Sequence, residues 1–107
     1  MRSETTAEIE WLTRRIKLLK NHLQEWKVSV QQEHQAFGVL KTRHKQERVK
    51  IRPQGKLASV THKIQQAQEL TYLAMQHSAE RERMRSRHQQ EHAQLEADIN
   101  AQQTKLK

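Results

Sequence analysis

The chain has 107 residues, 34% of them hydrophobic and 4% aromatic, which excludes a thick globular core and more than one domain. Its formal net charge of +8 draws it towards nucleic acid, acidic protein or anionic lipid. Cysteine is absent, so there is no disulfide framework and no thiol nucleophile.

The N-terminal residues MRSETTAEIEW lack an apolar signal region, and no apolar run approaches the ~18 residues of a membrane span. The expectation is a cytoplasmic protein that does not enter a membrane. Thr5-Thr6-Ala7-Glu8 reads as a capping box with Thr5 as N-cap, so helix one begins near residue 5. From there a 3-4 spacing of heptad positions continues to residue 51. The a positions are Ile9, Ile16, Leu23, Val30, Phe37, His44 and Ile51; the d positions are Leu12, Leu19, Trp26, Glu33, Leu40 and Glu47. This is the pattern of one long helix with a narrow apolar seam. Gly38 lies inside it, a soft spot across which the seam keeps its phase.

Arg52-Pro53-Gln54-Gly55-Lys56 is the clear breaker. Proline disfavours the α conformation at Arg52, and Gly55 can take positive φ. Helix two then covers about residues 57–105. Its period differs: Leu73, Met84, Leu95 and Leu106 recur every eleven residues, and His77, His88 and Ile99 follow the same step. The expected fold is all-α, a long antiparallel helical hairpin over residues 1–107 that can assemble into a helical bundle.

The flanks of the seam favour an intramolecular antiparallel partner. A parallel homodimer would set Arg15 against Lys20 and Arg43 against Arg48. The short turn pairs residues whose numbers sum to about 111, placing Ile16 by Leu95, Leu12 by Ile99, Phe37 by Ala74 and His22 near His88. Trp11 and Leu18 then fall off the seam, and Leu70, Tyr72, Leu73 and Met75 cover nearly the whole circumference of helix two. These six residues form the expected protein interface, for a second copy or a helical protein partner.

The densest charge surrounds the turn. Lys41, Arg43, Lys45, Arg48, Lys50, Arg52 and Lys56 face one acid, Glu47, in that stretch. Lys41, Lys45, Arg48 and Arg52 share a helix face, a row suited to phosphates of DNA or RNA. No aromatic is interleaved, so base stacking is not expected. His88 and His92 have chelating spacing, yet two ligands do not make a structural site, so no metal or other cofactor is expected. One aspartate, no Gly-rich phosphate loop and no depth for a cleft leave no catalytic residues and no small-molecule substrate.

Leu40-Lys41-Thr42-Arg43-His44-Lys45-Gln46-Glu47-Arg48 and Arg87-His88-Gln89-Gln90-Glu91 resemble the charged helical tails of plasmid relaxases and mobilisation proteins. The relaxase catalytic tyrosine and three-histidine metal motif have no counterpart, so the resemblance implies a non-catalytic accessory in plasmid DNA mobilisation. In shape the chain is similar to the basic hairpin stalks of type III secretion export ATPases. The sequence thus supports a non-enzymatic coiled-coil adaptor or scaffold with a basic tip on nucleic acid. The alternative is a protein-only stalk or chaperone-like module on a larger machine.

Overall fold

The computed structural model describes residues 4–106, which form two long helices and no strand. Helix α1 spans Glu4–Ile51 and helix α2 spans Lys56–Leu106. The first described residue is already helical, so Thr5 lies inside α1 and does not cap it. No helix among the described residues is long and apolar enough to cross a membrane.

The turn forms as its chemistry requires. α1 stops at Ile51, and Arg52–Gln54 make a single 3-10 turn containing Pro53. Gly55 adopts φ 105° and ψ 175°, and its N–H points back to the Arg52 carbonyl at 3.5 Å. A side chain is strained in that region, at a cost of about 1–3 kcal/mol. Gly38 is the opposite case, in a helix interior with nothing within 4 Å of an added Cβ. Gly55→Ala should therefore destabilise the hairpin by about 1–3 kcal/mol, and Gly38→Ala should stabilise it by about 1 kcal/mol. Denaturant midpoints of the two variants should move in opposite directions from the parent; a shift of the same sign would contradict the backbone assignment at one of them.

The chain divides into two compact units. Unit 1 comprises Met1–Val28 and Glu82–Lys107; unit 2 comprises Ser29–Arg81. In both, the two helical segments pair antiparallel. In unit 1, Trp11 meets Gln102, Arg15 meets Glu96, His22 meets Glu91 and Glu25 meets Arg87. In unit 2, Glu33 meets Arg81, Phe37 meets His77, Arg43 meets Glu69 and Glu47 meets His62. These pairs stay within about three residues of the register expected from the turn.

The facing side chains recur every eleven residues in α1 as well as in α2. Ala7, Leu18, Ser29, Leu40 and Ile51 are buried or half-buried, as are Trp11, His22, Glu33 and His44. In α2 the same holds for His62, Leu73, Met84 and Leu95, and for Gln66, His77, His88 and Ile99. The heptad seam expected for α1 therefore coincides with the buried face only from Trp26 to Ile51. From Ile9 to Leu23 it fails, and Ile9, Leu12, Ile16, Leu19 and Leu23 are exposed. The reason is geometric. A seven-residue repeat drifts by roughly 20° per heptad around a straight helix, and an eleven-residue repeat drifts by about the same angle per eleven residues in the opposite sense. The two patterns coincide near the turn and separate away from it, and α2 offers an eleven-residue face.

Trp11 and Leu18 take the places that Leu12 and Ile16 were expected to fill. Trp11 is 6% exposed and Ile99 is fully buried; with Ala7 and Leu95 they form the core of unit 1, and Leu18 packs against it. The Trp11 indole N–H donates to Gln102 Oε1 at 2.6 Å, which satisfies its polar edge. None of the aliphatic side chains beside it offers both that area and that handle, so the tryptophan sets the local face. Polar contacts also join the helices in unit 1. Arg15 grips Glu96 through two hydrogen bonds of 2.7 and 2.8 Å, and the His22 and His88 rings stack at 3.7 Å.

Candidate nucleic-acid interface

The basic residues around the turn do not all share one surface. In unit 2, Lys41, Lys45 and Arg48 of α1 and Lys63 of α2 line one groove of about 530 Å³. Its remaining lining is His44, Gln66, Ala67 and Leu70, with no acid. Arg48 and Lys63 also line the adjoining hollow beside Arg52, Ile51, Ser59 and His62. The helical spacing of Lys41, Lys45, Arg48 and Arg52 thus survives as a row about 17 Å long. Lys63 joins it from the other helix, and sequence reasoning missed it because it lies outside the local charge run. The turn register held the signal, since it sets Lys63 against Arg48.

Two buried polar side chains lie under this groove. His44 is 3% exposed and Gln66 is 5% exposed, and the Gln66 amide donates to the His44 carbonyl at 2.9 Å. The His44 ring turns to Glu69, 3.2 Å from its Nε2. That hydrogen bond, with the Arg43 guanidinium beside it, holds Glu69 below the ordinary carboxylate range.

Arg43 therefore does not belong to the groove. It forms ion pairs with Glu69 and Glu47, and it lines a different hollow with Gln32, Gln35, Ala36, Val39, Leu40, Tyr72 and Leu73. Glu69 and Arg43 meet there, Glu47 pairs with Arg43 and His62, and Lys41, Lys45, Arg48, Arg52 and Lys63 are left without an ion pair among the described residues. Lys50 and Lys56 are exposed and line neither groove.

The expected protein interface is likewise dispersed. Trp11 lies in the core of unit 1 and Leu18 is half-buried against it. Leu70 lines the basic groove, Tyr72 and Leu73 line the apolar one, and Met75 is exposed. The apolar groove is open, with Val39 73% and Tyr72 64% exposed. Among the described residues no three metal-ligating side chains converge. His88, half of the spacing noted with His92, instead stacks on His22 and faces Glu25 at 3.4 Å.

Ion pairs across the helices make the fold sensitive to acid. Arg87 hydrogen-bonds Glu25 and Arg15 hydrogen-bonds Glu96, and each lowers its partner's pKa from 4.5. Glu69 is lowered in the same direction by His44. A carboxylate depressed in the folded state stabilises the fold above its ordinary pKa, and this contribution is lost as pH falls through the folded value. Urea midpoints should therefore drop below about pH 4.5, and a Glu25→Gln, Glu69→Gln, Glu96→Gln variant should show a shallower acid limb. An equally steep limb in that variant would remove these pairs from the account.

No known protein family, curated protein or solved structure matches the chain.

Proposed function

We propose that the chain is a non-enzymatic adaptor that holds nucleic acid by its backbone through the basic groove of unit 2. The observation that carries this reading is the set of five cations without ion pairs, in a groove and adjoining hollow that no acid lines. A row of this kind neutralises phosphates and releases counterions, and it supplies position without reading bases. The likeness to relaxase tails would give this activity a setting in plasmid DNA mobilisation, in the cytoplasm. The open apolar groove around Val39 and Tyr72 favours a second reading, a protein-only stalk that docks on a larger machine.

A salt titration separates the two. Affinity for duplex DNA or RNA should fall linearly in a log–log plot, with a slope of magnitude about 4 to 5 for five phosphate contacts. Absence of binding at about 50 mM salt, where the electrostatic contribution is strong, would leave the stalk as the reading to pursue.

A further inference from the structure

α1 carries two apolar stripes in unit 1. One, through Trp11 and Leu18, follows the eleven-residue step and is consumed by α2. The other, Ile9, Leu12, Ile16, Leu19 and Leu23, follows the heptad step and stays open among the described residues: these side chains are 60%, 55%, 45%, 59% and 55% exposed. A contiguous stripe of large aliphatic side chains is unusual on a solitary soluble surface. Its composition is specific, with isoleucine at two successive a positions and leucine at both d positions. We propose that this stripe is the seam of a left-handed coiled coil with a second copy of this chain, packed antiparallel about a two-fold axis between Ile16 and Leu19.

The seam is self-complementary in that orientation. Antiparallel helices place a residues against d residues, so Ile16 meets Leu19 of the second copy and Leu12 meets its Leu23. Every layer is apolar, and each contact occurs twice, as a two-fold interface requires. The edges agree with it. The outer edge of the stripe carries Thr13, Lys20 and Lys27, and the antiparallel pairing sets Lys20 against Thr13. A parallel pair would instead oppose Arg15 to Lys20 of the second copy, a like-charge contact. On the inner edge the Arg15 charge is already held by Glu96, which accepts from its Nε and Nη2 at 2.7 and 2.8 Å. Ten half-exposed aliphatic side chains with their flanks approach the lower size range of specific interfaces. The seam is independent of the basic groove, which lies in the other unit.

Sedimentation equilibrium of the whole chain should show a mass rising from 12.8 kDa to twice that value with concentration. Added salt should leave this association unchanged or strengthen it, because the seam is apolar, whereas nucleic-acid binding weakens. Leu12→Gln with Leu19→Gln should weaken association at least tenfold while circular dichroism shows the helicity of the parent, and Tyr72→Gln should not change it. The absence of cysteine allows a direct test of orientation. A mixture of Leu12→Cys and Leu23→Cys chains should give a disulfide-linked heterodimer, and Leu12→Cys alone should not crosslink. A 12.8 kDa species at every concentration would overturn the proposal and leave the stripe to a different helix. So would association indifferent to the glutamine pair, or efficient crosslinking of Leu12→Cys with itself.

Discussion

Trp11→Ala should lower the unfolding free energy by about 3–5 kcal/mol, while Leu12→Ala beside it should stay within about 0.5 kcal/mol. The contrast follows from burial. Trp11 is 6% exposed, packs with Ala7, Leu95 and Ile99, and donates its indole N–H to Gln102. Its removal leaves a cavity against fully buried Ile99 and loses the hydrogen bond to Gln102. Leu12 is 55% exposed, and its truncation empties nothing within the hairpin. Urea unfolding at dilute protein concentration, below self-association, is the appropriate measurement. A larger loss at Leu12 than at Trp11 would restore the heptad seam as the contact between the helices and overturn the eleven-residue face.

Removal of the groove charges should abolish most of the salt dependence of nucleic-acid binding. With Lys41, Lys45, Arg48, Arg52 and Lys63 all changed to glutamine, the log–log slope should fall from about 4–5 towards zero. Lys63→Gln alone should reduce it by about one, because it removes one phosphate contact. Arg43→Gln should leave the slope nearly unchanged, since Arg43 is held by Glu69 and Glu47 and lines the apolar hollow. The losses should be similar on unrelated sequences, as contacts to phosphate carry no base information. An Arg43→Gln effect as large as that of Lys63→Gln would mean that binding follows total charge and not the groove. All of these side chains are solvent-facing, so helicity should be preserved and serves as the control.

The architecture was legible wherever one local signal acted alone. Pro53 and Gly55 marked the turn, and the short connection then dictated an antiparallel register that Arg15 with Glu96 and His22 with His88 obey. The eleven-residue step of α2 was also visible, because leucine and histidine repeat in it without a competing pattern. α1 was harder to read because two apolar patterns are superposed on one helix. Pattern strength alone favours Ile9, Leu12 and Ile16, and nothing local says that the partner helix presents a different period. Burial is decided by the match between two helices, so the weaker stripe through Trp11 takes the core.

The site divides along the same line. The row of Lys41, Lys45, Arg48 and Arg52 follows from helical geometry and was readable from spacing. The separation of Arg43 from that row depends on Glu69, a residue 26 positions away in sequence that draws Arg43 towards the other groove. Lys63 enters through the register. The apolar hollow needs Val39 and Tyr72 from different helices, a juxtaposition that no run of adjacent residues discloses.

The eleven-residue step also bears on how such an arm can change length. Eleven residues at 3.67 per turn make three whole turns, about 16.5 Å of helix, after which side chains point the same way again. Within either unit, gain or loss of one such cassette from both strands would leave every retained side chain opposite an equivalent neighbour. A cassette of seven would rotate the core face out of line with α2. Duplication and deletion in this lineage would thus be tolerated in steps of three turns, and the exposed heptad stripe of α1 would be the first feature such an event put out of phase.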